Sequence, residues 1–481
     1  VRVDFRWISA VLTACVIAGC GKPPEATFVY NEPTLELIPQ ARKPVEAAVL
    51  EFFGTPQKLV AWKKLPVDYG EPTGPSGSVA DAKVTETSFR AEFPEELAPS
   101  LQLPGKPLLW LSGPNAGKRA EIASYDAGNG TLTLAAKLPS PPSPHDEFLI
   151  VEADAGWNLK EGRNLYMRHC VHCHGTSGDG NGPTAEYLNP LPRDYRLGVF
   201  KFTSTAAGMK ACREDLKRTL QEGIPGTSMP SFVLLADAEL DSLVEYVRWL
   251  AMRGEFERSL AAELSGDYSQ KAFAQRKKDG ESSDEIIAEL RENYLVEVTD
   301  PKSKRKEYRI SPTVIADVAD NLASEWSTPE EEGSIVVPGI ARISPEEDPH
   351  SIARGRALYM SEKAKCFSCH GAGGKGDGVS TVDYWTIPNS TPEKKFAVRG
   401  LHDQWGHPQR PRDLTTGIYR GGRRPIDIYR RIYAGIKGTQ MSAFGGTVLN
   451  DQEMWDLVNY VLSIPYNPEP PPAAVLQAAG N

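Results

Sequence analysis

Two short runs of this chain have the residue types and spacing for one particular chemistry. Cys170-Val-His-Cys173-His174 and Cys366-Phe-Ser-Cys369-His370 each place two thiols three residues apart, with a histidine directly after the second. Thiols at that spacing can add to the two vinyl groups of one porphyrin, and the adjacent histidine then comes under the ring as a ligand to the iron. The pattern predicts two covalently bound haem c groups, one on Cys170, Cys173 and His174, the other on Cys366, Cys369 and His370. A structural zinc site would gather four nitrogen or sulfur ligands in one small module, and these pairs lie almost two hundred residues apart. A redox dithiol would open a helix after a strand and has no need of the histidine.

The other three of the seven cysteines are Cys15, Cys20 and Cys212. Residues 1–19 carry Arg2 and Arg6 and then an apolar run from Trp7 to Ala18. That is the pattern of an export signal, too short to span a bilayer. Ile17-Ala18-Gly19-Cys20 resembles the bacterial lipoprotein cleavage box, which implies lipidation of Cys20. The protein would then be periplasmic or extracytoplasmic and anchored to a membrane through its N-terminal lipid. Plain secretion with a free Cys20 is the alternative. Cys212, a lone thiol beside a Lys/Arg-rich helix, reads as a partly buried structural residue.

The two motifs belong to a longer internal repeat. Gly162-Arg-Asn-Leu-Tyr166-Met and Gly355-Arg-Ala-Leu-Tyr359-Met precede them, and glycine-rich stretches, Gly175 to Gly182 and Gly371 to Gly378, come after. Pro192-Arg193-Asp194 is matched by Pro411-Arg412-Asp413. Amphipathic helices are expected over 213–222 and 426–434. They end in Gly223-Ile-Pro-Gly226-Thr-Ser-Met229 and Gly435-Ile-Lys-Gly438-Thr-Gln-Met441. Each copy closes on a helix of 3.6-residue period, with Leu240, Leu243, Val244, Val247 and Leu250 on one and Met454, Leu457, Val458 and Val461 on the other.

This order of elements resembles class I cytochromes c, over roughly 155–255 and 351–465. The resemblance implies a haem held between an N-terminal and a C-terminal helix. It also implies His174 and His370 as proximal ligands and Met229 and Met441 as distal ones. A neutral thioether favours Fe(II), so a Met/His pair raises the reduction potential relative to two histidines. Of the other methionines, Met167, Met252, Met360 and Met454 read as helix core or helix end, and Met209 has no Gly-Thr loop. An excursion between Asp383 and Pro411 carries His402 and His407, each able to ligate iron but expected as a loop residue. Arg193 and Arg412 are candidate partners for haem propionates, since a forked guanidinium suits a carboxylate.

Around the repeat, residues 20–43 contain several prolines and suit a tether, with a short helix expected from about Pro44 to Phe53. Short alternating runs from about 79 to 151, separated by Gly/Asn/Pro turns, suggest a small antiparallel β unit or barrel. Residues 256–350 are charged and helical in pattern, for example over 284–294 and 313–323. The whole is expected to be an α+β multidomain chain: two all-α class I cytochrome c domains, a small N-terminal antiparallel β domain and a helical inter-domain segment. The boundaries are 1–19 signal, 20–43 tether, 44–154 β domain, 155–255 first haem domain, 256–350 helical linker or insertion, 351–466 second haem domain and 467–481 tail.

At 481 residues, 40% hydrophobic and 24% charged, the composition is that of a globular protein. The net charge of −9 argues against a nucleic-acid-binding surface over the whole chain. The second haem domain runs the other way, with 16 basic and 10 acidic side chains over 351–465. Arg420, Arg423, Arg424, Arg430, Arg431 and Lys437 cluster just before Met441, a candidate face for an acidic electron partner. No Ser-His-Asp, paired-carboxylate or dinucleotide motif stands out, so no catalytic residue is assigned. These features point to a carrier passing electrons between other redox proteins, in the periplasm or at the outer face of a membrane, in a respiratory chain. A dihaem peroxidase is the rival reading. A cytochrome subunit of a periplasmic dehydrogenase, a quinol-oxidising complex or a terminal oxidase is a further one.

Overall fold

The computed structural model describes residues 26–466, apart from 71, 73, 81–83, 94–101, 152–155, 300–303, 389 and 391. The expected export signal, Cys20 and the 467–481 tail lie outside the described residues.

The segment expected as a tether folds from residue 32 onward. A short helix α1 (Glu32–Leu35) leads into α2 (Pro39–Phe53), whose first position is a proline, where the missing N–H has no intrahelical partner to lose. The stripe Ala41, Val45, Ala48, Val49 and Phe53 is buried. Leu59, Leu65, Val67 and Tyr69 continue the same core. All of it packs on the first haem domain rather than on the β unit: Trp249 Nε1 donates to the Val60 carbonyl at 3.2 Å, and the Asp68 N–H donates to Glu245 at 2.7 Å. The prolines that suggest a tether are helix starters and turn residues of a docked segment.

The β domain is correspondingly smaller than 44–154. Strands β1 (Ser76–Val79), β2 (Ser88–Glu92), β3 (Pro107–Trp110), β4 (Arg119–Asp126), β5 (Thr131–Leu134) and β6 (Glu147–Ile150) close an antiparallel barrel in the order β1-β2-β5-β4-β3-β6. Alternate residues point inward, and Phe89, Trp110 and Phe148 meet at centroid distances of 5.2 to 5.8 Å. Side chains of this size fill a small barrel.

The first haem domain comprises α3 (Trp157–His169), α4 (Val171–His174), α5 (Arg213–Glu222) and α6 (Asp237–Tyr268). Helix α6 runs 32 residues, straight through the expected boundary at 255. The segment beyond α6 is mostly helical, as expected, but docks on α6 rather than bridging two bodies. It consists of α7 (Gln270–Lys278), α8 (Ser283–Tyr294), the hairpin β7 (Leu295–Thr299) and β8 (Lys306–Ile310), and α9 (Pro312–Ser327). Leu290, Leu322 and Trp326 enter the same core, and Trp326 Nε1 donates to Glu255 at 2.7 Å. Only the stretch beyond Ser334 crosses over, where the Val336 N–H donates to the Ser204 carbonyl while its side chain joins the second core.

The second haem domain repeats the plan with α10 (Ser351–Tyr359), α11 (Cys366–His370), α12 (Pro425–Ala434) and α13 (Asp451–Ser463). A two-stranded ribbon, β9 (Leu401–His402) with β10 (Pro408–Gln409), lies in its excursion. In both copies the first and last helices cross at the repeat's leading glycine. A Cβ on Gly162 would overlap the Ser242 carbonyl of α6, and one on Gly355 the Asp456 carbonyl of α13. Gly162→Ala and Gly355→Ala are therefore each expected to push their helices apart and destabilise that domain by about 1–3 kcal/mol. The check is a lower denaturant midpoint followed at the haem absorbance of the affected domain. Among the described residues, no helix is long and apolar enough to cross a membrane.

Candidate haem sites

Each C-x-x-C-H run forms one helical turn whose geometry is fixed from both ends. Tyr166 on α3 donates its hydroxyl to the Gly175 carbonyl at 2.7 Å, and Tyr359 on α10 does the same to Gly371 at 2.8 Å. Both glycines have positive φ, +72° and +76°, which lets the chain leave the turn sharply. The glycine-rich stretch then folds back: the Gly180 and Gly376 N–H groups donate to the His174 and His370 carbonyls at 3.0 and 2.8 Å.

The histidine rings are held alike. Nδ1 of His174 donates to the Arg193 carbonyl at 3.3 Å, and Nδ1 of His370 to the Arg412 carbonyl at 3.1 Å. This fixes the tautomer and leaves Nε2 with its lone pair, the form in which an imidazole can ligate a metal. Burial lowers the pKa of both rings, keeping them neutral, which is the ligating form. The expectation that Arg193 and Arg412 serve the haems through their guanidinium groups misses this main-chain role. The tyrosines stand in the repeat with no job that the sequence assigns. Their identical offset from the repeat's leading glycine, Gly162 to Tyr166 and Gly355 to Tyr359, is the signal that could have found them.

Each domain also carries a methionine loop of repeated construction. In the first, the Ile224 N–H donates to the Met229 carbonyl at 3.1 Å, and Thr227 Oγ1 accepts from the Met229 N–H at 3.1 Å. In the second, the Ile436 N–H donates to the Met441 carbonyl at 3.0 Å, and Thr439 Oγ1 accepts from the Met441 N–H at 3.2 Å. In the first domain His174 and Met229 line one cavity of about 130 Å³, with Cys170, Tyr195, Leu216, Leu220 and Val244 among its walls. An apolar cavity bounded by a neutral imidazole, the Cys170 thiol and a thioether offers the donors that haem c uses, so the residues present fit the group.

The excursion histidines have other surroundings. The His402 ring is buried, stacks on Phe396 at 3.8 Å, and its Nδ1 donates to the Gly400 carbonyl at 2.9 Å. His407 is exposed. Cys212 is buried beside Ser204, as expected for a structural thiol.

The basic cluster of the second domain is largely turned inward. Lys437 Nζ donates to Thr205 Oγ1 of the first domain at 2.8 Å and also to the Met209 carbonyl. Arg431 donates to the Asp427 and Gly421 carbonyls and lies over the Phe202 ring at 5.3 Å. Arg430 donates to the Val336 carbonyl at 3.1 Å. The buried Asp427 pairs with Arg218 of the first domain at 2.8 Å. Arg423 and Arg424 remain exposed. The charge excess thus belongs mainly to the seam between the haem domains.

Residues 159–251 and 352–465 both match the cytochrome c family model. The chain carries two cytochrome c domains, and these imply covalently bound haem c, two groups for two domains. Among solved structures, a chain of the reducing HAO-like protein complex of Kuenenia stuttgartiensis is similar at 25% sequence identity. That match covers 63% of this chain and 96% of the other, with a TM-score of 0.39. No curated protein matches the chain.

Proposed function

We propose that the protein is a dihaem electron carrier, tethered to a membrane by a lipid at Cys20, that passes electrons between redox proteins in the periplasm or at the outer face of the membrane. The observation that carries this reading is the pairing, in both domains, of a backbone-fixed neutral histidine with a methionine held on a hydrogen-bonded Gly-Thr loop. Each haem would supply reversible one-electron chemistry. The chain's histidines and methionines would ligate the iron, and its apolar walls would exclude water and hold the group in place. Saturating both axial positions suits a carrier, whose iron gains and loses an electron without binding substrate.

The peroxidase alternative needs an iron with an open or releasable sixth position. Its candidate features are the excursion histidines. One of them is stacked and hydrogen-bonded to its own loop and the other faces solvent, which favours the carrier.

Redox titration with optical scans tests the reading. Two low-spin centres, each with a methionine-to-iron charge-transfer band in the red of the oxidised spectrum, are expected. Met229→Ala should abolish one band and leave the other, and should lower the midpoint potential of the affected haem, because the soft neutral ligand that favours Fe(II) is lost. A high-spin centre in the parent protein that reacts rapidly with peroxide would sink the carrier reading.

A further inference from the structure

The two haem domains meet along a seam whose contacts come in matched pairs. Counting forward from Pro192-Arg193-Asp194 and Pro411-Arg412-Asp413 brings Val199 into register with Ile418. Val199 lies against Gly438 on the distal loop of the second domain, and Ile418 against Gly226 on that of the first. A Cβ at either glycine would come within 3.3 Å of the branched side chain from the other domain. When residue i contacts j and the equivalent of j contacts the equivalent of i, the surfaces are paired as in a two-fold dimer.

The matched arginines obey the same exchange. The Arg412 carbonyl accepts from His370 of its own domain, while its guanidinium rests against Gly226 of the other, where a Cβ would lie 3.1 Å from Nη2. Gly226 is three residues from Met229. The Arg193 carbonyl accepts from His174 of its own domain, while its guanidinium stacks on Trp405 at 3.6 Å. The Trp405 ring in turn packs on Gly438, three residues from Met441. Arg412 therefore touches the proximal side of its own site through its main chain and the distal loop of the other through its side chain; Arg193 reaches the other distal loop through Trp405, and also lines the cavity of its own domain.

We propose that Arg193 and Arg412 are reciprocal positioning residues that couple the two haem sites, Arg412 placing its positive charge against the distal methionine loop of the opposite domain and Arg193 placing its own behind Trp405, which packs on the other loop. The inference rests on the haem-binding reading above. A positive charge beside an iron favours the reduced state, so removing it lowers that haem's midpoint. Because each guanidinium reaches toward the other domain, the opposite haem shifts when the charge is removed; Arg193, which also lines the cavity of its own domain, acts on both.

The test uses the full chain with both haems attached, and the haem count per chain is taken first. In a Met441→Ala background only the first haem keeps the methionine-to-iron band, so a redox titration monitored at that band reads the first haem alone. Adding Arg412→Gln should lower its midpoint, and Arg412→Lys should restore most of the loss. In the mirror experiment, Arg193→Gln in a Met229→Ala background should lower the midpoint of the second haem. If shifts are confined to the haem of the arginine's own domain, or if the glutamine and lysine variants shift alike, the coupling is wrong. Should one variant fail to fold, its mirror decides the question. A parent protein carrying fewer than two haems would overturn the haem reading itself, a result distinct from either of these.

Discussion

The double variant Cys170→Ser/Cys173→Ser is expected to be recovered with one covalently bound haem per chain in place of two, the remaining group belonging to the second domain. The effect is large because the cysteines do more than tether. The cavity of about 130 Å³ is walled by Tyr166, Leu216, Leu220, Val244 and Met229, and without its occupant these side chains face empty space or water. Core cavities cost stability roughly in proportion to their volume, and at that size the cost of about 3 kcal/mol is a large share of a small domain's net stability. The first domain should therefore lose fixed packing as well as its haem. Covalent haem content by pyridine haemochrome reads the first loss, and amide hydrogen exchange over 157–250 reads the second. Retention of two covalent haems would refute the assignment of Cys170 and Cys173.

Trp249→Ala should be the most damaging substitution away from the haem ligands, destabilising the first domain by about 3–5 kcal/mol. The indole is fully buried. It packs between Phe53 of α2 at 5.5 Å, Phe28 at 5.9 Å and Tyr246 at 5.8 Å, and its Nε1 holds the Val60 carbonyl. Truncation opens a void and also leaves the Val60 carbonyl without its donor. Because Phe28, Phe53 and Val60 all come from the N-terminal segment, that segment should loosen with the domain. Limited proteolysis should show new cleavage between residues 26 and 70. Unchanged protease resistance there would show that the segment docks independently of Trp249.

The parts of the molecule legible in the sequence are those whose determinants are local. A C-x-x-C-H turn, a Gly-x-x-Gly-Thr-x-Met loop and a barrel strand with every second residue apolar carry their own geometry, and the structure reproduces them at the expected positions. The N-terminal segment reads wrongly as a tether because its determinants are remote. Asn31 bonds to Glu257, 226 residues away, and nothing near Asn31 announces that partner. The end of the first domain is misplaced for a related reason. The haem repeat closes near residue 250, but α6 continues because Leu260, Leu264 and Tyr268 have α2 and α8 to pack against. Arg193 and Arg412 are recognisable by their matched positions, and their alignment with Val199 and Ile418 is also readable. That the side chains cross to the opposite domain depends on how the two copies dock, which a repeat alone does not specify.

The docking of the N-terminal segment on α6 also sets an order of assembly. Chain closure becomes more costly as the loop lengthens, and contacts such as Trp249 with Val60, 189 residues apart, must await synthesis of the later helix. The barrel between them draws all of its strand pairings from residues 76–150. As the chain emerges N-terminus first, the barrel can therefore close first, while the residues ahead of it stay open to proteases and chaperones until α6 has emerged on the same side.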